Sequence, residues 1–393
     1  MDWSHCSASR RRPVGASQQC RFALDSMPYM SYRRKGVTLL LMAAFACGAA
    51  TGDVLIESNI VYAVGAIHAD SGGGTRDLLL DAYRPVHADG RSGKALLLVH
   101  GGGFAAGSKT SADMVDAANY FAERGWVCFS IDYRLVSDDP PAPAWVEAFN
   151  DPLVDAAYAA TVDTKRAIRW VRTQAGSYGI HRNRIAGLGH SAGAYCVLQA
   201  CITDEDDFAN DDGTPSPDQW SGQPGRLNAG TEVSGGIVYN QFEFDALDSP
   251  LMIWHGEADL TVPFSAALNI GGACDDYGIP YRLFALPGAD HGAATWTALY
   301  KGRDIKAHAF EFFALFFDLK VNAAVTGNDV QLKWSSISNA VYQVEASSTL
   351  VSPFSNRLAT VTAAVNTCTH TLPVTAAREF YRLRLRSGQI STP

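Results

Sequence analysis

The stretch Gly187-Leu188-Gly189-His190-Ser191-Ala192-Gly193 constrains this chain more than any other. Residues 184–188 before it form a short apolar run that reads as a strand, and Ala192–Ile202 after it reads as a helix. A strand that becomes a helix this abruptly leaves room only for small side chains around its apex. Gly189 and Gly193 meet that demand, because larger residues would collide across the turn. Ser191 is then held at the strand's carboxyl end, its hydroxyl near the positive end of the following helix, where a developing oxyanion is stabilised. What such a serine is for depends on which other parts accompany it, and in what order.

Upstream, residues 54–64 and 76–85 read as two strands, the second alternating Leu78, Leu80 and Ala82 against Asp77 and Asp81. Ala95–Val99 is a continuous apolar run of the kind buried on both faces of a parallel sheet. It feeds directly into His100-Gly101-Gly102-Gly103-Phe104, where consecutive glycines leave backbone N–H groups unobstructed, as an oxyanion hole requires. A helix over 111–124 and a strand over 126–133 follow, the alternation of a doubly wound sheet. Residues 137–152 hold four prolines with Trp145 and Phe149 among them. Loops of this kind line substrate pockets, and packing against the core is an equal expectation.

Downstream of the helix over 152–175 and the serine turn, residues 203–228 are acidic and irregular. The spacing of Asp204, Asp206, Asp207, Asp211 and Asp212 does not match a calcium loop, so a solvated loop is expected and no metal site is assigned. The sheet is expected to resume at residues 236–239, then 250–255, which runs into Gly256-Glu257-Ala258-Asp259, and then Tyr281–Leu286, which runs into Ala289-Asp290-His291-Gly292. Phe310, Phe313 and Phe317 at helical spacing read as core. From about Lys320 the period becomes two, with Val330, Leu332, Trp334 and then Tyr342, Val344, Ala346 as the apolar sets. That pattern predicts a small all-β, sandwich-like module in which Trp334 is either core or a sugar-stacking platform.

At 393 residues and 47% hydrophobic, the chain suits one large domain plus a smaller one. The expected division is 1–50 as an N-terminal extension with a leader, 51–318 as the main domain and 319–393 as the β module. Residues 1–36 are net +5, which leaves −13 on the rest of a chain whose formal charge is −8. An acidic body offers no footprint for nucleic acid. Arg33-Arg34-Lys35, the apolar residues 37–46 and the small residues through Ala50 form the pattern of a secretory signal, too short to span a bilayer. The expectation is therefore a secreted or periplasmic protein with its signal over about 30–50, of ordinary length if translation starts at Met27 or Met30. Lipid attachment at Cys47 is disfavoured by the residues before it. Cys128, Cys196, Cys201, Cys274 and Cys368 lack the close spacing of a disulfide framework or zinc site and read as buried small hydrophobes.

In this order the segments resemble the α/β-hydrolases, and within them the secreted carboxylesterases and acetyl esterases with a His-Gly-Gly-Gly motif. The resemblance covers roughly residues 54–318. It implies a mainly parallel, doubly wound sheet and a triad of Ser191 as nucleophile, Asp259 as acid and His291 as base, with the amides of Gly102, Gly103 and Ala192 as the oxyanion hole. The residues themselves lead the same way. Of the histidines beyond Asp259, His308 falls in a helix and His370 in the β module, whereas His291 sits in a strand-end loop. Asp290 is too close to His291 to orient its ring easily, and Glu257 is the weaker rival for the acid. His190 and His255 read as structural.

No cofactor is implied. Residues 76–85 are similar to a stretch in esterases that remove acetyl or feruloyl groups from plant polysaccharides. The expected substrate is a small-molecule or polysaccharide-linked ester, with polysaccharide or cell-surface contact through the β module. An amide or peptide hydrolase with the same triad is the alternative within enzymes. A non-catalytic binding protein on the same scaffold is the alternative outside them.

Overall fold

The apolar runs become the strands of an eight-stranded sheet in the computed structural model, which describes residues 53–68, 72–204, 207–208, 222–238, 244–319, 390 and, with short breaks, 321–385. The expected leader, Cys47 and most of the acidic stretch lie outside the described residues. Two compact units emerge, one of residues 53–319 with 390, the other of the strands between 321 and 385.

In the first unit, β1 (Val54–Ile67) and β2 (Gly74–Pro85) form a long antiparallel hairpin at the sheet's edge. Its register slips between Glu57 and Ile60 and again between Val61 and Ala63, so β1 carries two irregularities. At the first, Asn59 takes φ 59° and its amide donates to Asp81 at 2.8 Å. The remaining strands are β3 (Ala95–Val99), β4 (Val127–Ile131), β5 (Ile185–His190), β6 (Ala229–Val233), β7 (Leu251–Gly256) and β8 (Tyr281–Leu286). The spatial order is β1-β2-β4-β3-β5-β6-β7-β8, and β3 through β8 run parallel. Chain order reverses around β3, which lies between β4 and β5. In open parallel sheets, ligands bind at the carboxyl ends beside such a reversal.

The helices are α1 (Ala112–Ala122), α2 (Ala144–Glu147), α3 (Pro152–Thr173), α4 (Ala175–Tyr178), α5 (Ala192–Ile202), α6 (Ser265–Tyr277), α7 (Ala293–Thr297) and α8 (Ile305–Phe317). α3 starts where Asp151 accepts the amide of Leu153 and Pro152 occupies the first turn, where its missing N–H costs nothing. It packs along α5. α1 and α8 meet each other, and Phe121, Trp126, Phe310, Phe313 and Phe317 interlock there. Each fully buried ring in such a cluster contributes about 1.5–3 kcal/mol. Lys165, Arg169 and Arg172 share one side of α3 and reach the described parts of the 203–228 stretch. Lys165 reaches Thr203 Oγ1 at 2.9 Å, Arg169 the Gln223 carbonyl at 3.2 Å and Arg172 the Pro224 carbonyl at 2.9 Å.

One expected strand is displaced. The sheet resumes at β6, residues 229–233, and Gly236 to Val238 are irregular, while Tyr239 lies outside the described residues. The reason is local. Ser234 turns the chain at φ 52°, and an added Cβ on Gly236 would lie 3.0 Å from the Tyr195 ring, so the glycines follow the elbow helix rather than the sheet.

The second unit holds two three-stranded antiparallel sheets. β9 (Val321–Thr326), β10 (Asp329–Ser335) and β13 (Thr367–Pro373) make one; β11 (Val341–Ser347), β12 (Asn356–Thr362) and β14 (Phe380–Leu385) make the other. Val330, Leu332, Trp334, Tyr342, Val344 and Ala346 are all buried, and the Trp334 and Tyr342 rings meet across the sheets at 5.7 Å. Trp334 is therefore core and not a stacking platform.

Candidate active site

Ser191 follows β5 at φ 51° and ψ −119°, backbone that costs a non-glycine residue about 1–3 kcal/mol. The surroundings hold it there. Its amide donates to the Val233 carbonyl at 2.8 Å, and its carbonyl accepts the amide of Ala194 at 2.8 Å. A Cβ on Gly189 would lie 2.1 Å from the Gly193 carbonyl oxygen, and one on Gly193 2.0 Å from that of Val99. Backbone cannot yield at those distances, so both positions require glycine.

Because Val99 pairs with Gly189, the glycine loop after β3 and the serine after β5 begin side by side. A Cβ on Gly101 would lie 2.9 Å from the His190 carbonyl oxygen and 3.1 Å from Ser191 Cβ. Gly102 takes φ 122°, and its carbonyl accepts the amides of Ala105 and Ala106 at 3.1 and 3.0 Å. The amides of Gly102, Gly103 and Ala192 donate to no group among the described residues. His100 braces this loop. Its ring stacks on Tyr133 at 4.2 Å, its Nδ1 lies 2.7 Å from the Gly101 carbonyl, and the Tyr133 hydroxyl donates to the His100 carbonyl at 2.9 Å. Burial pushes the His100 imidazole below its ordinary value, only partly offset by the Gly101 carbonyl, so the ring is neutral at neutral pH.

β7 and β8 deliver the other two groups. His291 Nε2 lies 2.8 Å from Ser191 Oγ, and His291 Nδ1 lies 2.8 Å from Asp259 Oδ2. Asp259 Oδ1 accepts the amides of Val262 at 2.8 Å and Thr261 at 2.9 Å. Burial works to raise this carboxyl, but the bonds from His291 and those amides outweigh it and hold the group below the ordinary carboxylate range. The rivals go elsewhere. Glu257 is exposed, and Asp290 Oδ1 accepts the amides of His291 at 2.7 Å and Leu260 at 3.1 Å, shaping the loop instead of the ring. His255 is buried with Nε2 2.9 Å from the Val262 carbonyl, and His308 bonds the Tyr300 carbonyl at 3.0 Å.

The structure brings together Ser191, Asp259, His291, Gly102, Gly103 and Ala192, and sets Trp145 against Tyr158. Trp145 lies on α2, 51% exposed, edge to face with Tyr158 at 5.8 Å; Phe149, just beyond, is 59% exposed. Three groups were not legible beforehand. They are the Tyr133 brace, Asp113 in the first turn of α1 with Oδ2 2.7 Å from His190 Nδ1, and Glu232 in β6. Glu232 is buried under the elbow helix, accepts the Gly235 amide at 2.8 Å through one oxygen and has no partner for the other among the described residues. Burial pushes it up to about 8, the Gly235 bond opposing only in part. No group of three or more His, Cys, Asp or Glu side chains among the described residues is arranged to hold a metal ion.

Comparison with known proteins gives consistent neighbours. The family model described as BD-FAE matches residues 80–221. Esterase LipQ of Mycobacterium tuberculosis is 25% identical over 300 residues, covering 67% of this chain and 65% of its own length. Esterase LipC of the same organism is 31% identical over 128 residues, 33% of this chain and 28% of its own length. The chain thus spans less than two thirds of either relative. Among solved structures, a thermophilic esterase of Thermogutta terrifontis, Est2 with propionate bound, superposes with a TM-score of 0.50 at 23% identity, covering 69% of this chain and 97% of that one. Strand order, the turn that carries Ser191 and this likeness agree that residues 53–319 have the α/β-hydrolase fold.

Proposed function

We propose that the protein is a carboxylic ester hydrolase of the serine type. The observation that carries this is the unbroken path from Ser191 Oγ through His291 to Asp259, each link 2.8 Å. His291 Nε2 takes the hydroxyl proton as Ser191 Oγ bonds to the ester carbonyl carbon. Asp259 keeps the imidazole in the tautomer with its proton on Nδ1 and stabilises the imidazolium. The unengaged amides of Gly102, Gly103 and Ala192 receive the oxyanion. Nε2 returns the proton to the leaving alcohol, and water then releases the acid from Ser191 by the same steps.

The proposed substrates are short-chain or carbohydrate-linked acetyl and feruloyl esters. This rests on the likeness of residues 76–85, the basic and apolar leader pattern that suits export, the added β module, and the propionate bound in the Thermogutta esterase. Trp145 on α2 and Phe149 just beyond it, both exposed, are included as substrate contacts. The test is a panel of acetyl to long-chain esters, feruloyl esters and anilides, run with the wild type and Ser191→Ala. Ester turnover that falls about 10⁴- to 10⁶-fold in the variant is expected. Equal rates in both proteins overturn the proposal, and anilides preferred over esters redirect it to amide hydrolysis.

A further inference from the structure

Beside His291 stands another imidazole that the acyl-transfer steps do not use. His190 closes β5 immediately before Ser191, and its ring centroid lies 6.0 Å from that of His291, tilted 33°, and 5.8 Å from that of Trp296, tilted 31°. Its Nδ1 faces Asp113 Oδ2 at 2.7 Å. Burial works to raise the Asp113 carboxyl, but the bonds from His190 and from the Met114 amide hold it below the ordinary range, so it is an acceptor and the His190 proton sits on Nδ1. The remaining nitrogen, Nε2, is buried and has no hydrogen-bond partner among the described residues.

One turn further along α1, Asp116 accepts Trp296 Nε1 at 3.3 Å and also holds Lys306 of α8. Residues three apart share a helix face, so Asp113 and Asp116 point the same way. α1 is reached directly from the glycine loop after β3. One helical face therefore fastens the ring next to the nucleophile and the ring just after the base.

We propose that Asp113 and His190 are positioning residues for His291. The His190 ring is a wall beside the His291 imidazole, tilted 33° to it, held by its bond to Asp113 and neighboured by Trp296. With that wall fixed, the base cannot tilt away from Ser191 Oγ. A displacement of about 1 Å in such an arrangement can cost 10²-fold in rate. The inference rests on the proposed function, in which Ser191 is the nucleophile.

The test reads Ser191 directly, through the rate at which a fluorophosphonate ester inactivates the protein, alongside kcat and KM for a short-chain ester. Asp113→Ala is expected to label about 10- to 100-fold more slowly and to lose kcat with KM within about twofold of wild type. Asp113→Asn, whose amide oxygen still accepts the Nδ1 proton, is expected to recover to within about threefold of wild type. A merely structural role would not produce that split and rescue. His190→Phe keeps a packed ring without the hydrogen bond and serves if Asp113→Ala fails to fold; it is expected to label about 5- to 20-fold more slowly. Variants that label at the wild-type rate overturn the positioning role while leaving the triad intact. A wild type that never labels at Ser191 overturns the triad and the positioning role together.

Discussion

Two histidine–aspartate couples stand side by side at the carboxyl edge of the sheet, and they are chemically alike. His291 meets Asp259 at 2.8 Å, and His190 meets Asp113 at 2.7 Å; both acids are held below their ordinary range. The difference is at the far nitrogen. That of His291 ends on Ser191 Oγ, whereas that of His190 ends on nothing described. An imidazole acts as a base only where its second nitrogen faces a proton to be moved; otherwise the same couple is a brace. Glu232 extends the comparison, being a buried acid beneath the same elbow with no base beside it. Without such a partner, burial prevails and the carboxyl is pushed up to about 8.

The comparison breaks first at the base. His291→Ala is expected to lower kcat about 10⁴- to 10⁶-fold, comparably to Ser191→Ala, in steady-state assays with a short-chain ester. Asp259→Asn follows at about 10⁴-fold, because the amide selects the wrong tautomer. Asp113→Asn is expected to do far less. Equal losses in Asp259→Asn and Asp113→Asn would mean that both couples work as bases.

The smallest effects concern stability. Glu232 has a folded-state value above its unfolded 4.5, so its contribution is complete below 4.5 and is lost as pH rises to about 8. The unfolding free energy of the wild type, read from urea titrations, should fall across that window by an amount on the order of a few kcal/mol, and Glu232→Gln should flatten it. Asp259 and Asp113 carry the opposite sign. Their contribution is present above the unfolded 3.8 and disappears as pH falls through their lowered folded values, so Asp113→Asn should flatten the acid limb alone.

Much of this was legible because local rules sufficed. The continuous run Ala95–Val99 and the small residues around Ser191 announce a buried strand and a tight turn from nearest neighbours alone. His291 stood out because the other downstream histidines fell within regular elements. Asp113 and His190 are 77 positions apart, and such a pairing leaves no periodicity to read. The strand expected at residues 236–239 lies instead at 229–233, because the lack of a side chain at Gly236 answers to the Tyr195 ring of the elbow helix and not to a place in the sheet. Trp145 shows the limit of composition, since the contact of its ring with Tyr158 leaves no mark in a proline-rich stretch.

Asp81 gives the slipped register of β1 a wider meaning. The carboxylate that receives the Asn59 amide also meets Lys109 Nζ at 3.0 Å, and the Lys109 amide in turn donates to Asp132 at 2.7 Å. The outermost ribbon of the sheet is thereby moored to the chain that leaves the oxyanion loop. A fault at the rim, far along the sheet from Ser191, would slacken the cradle from behind.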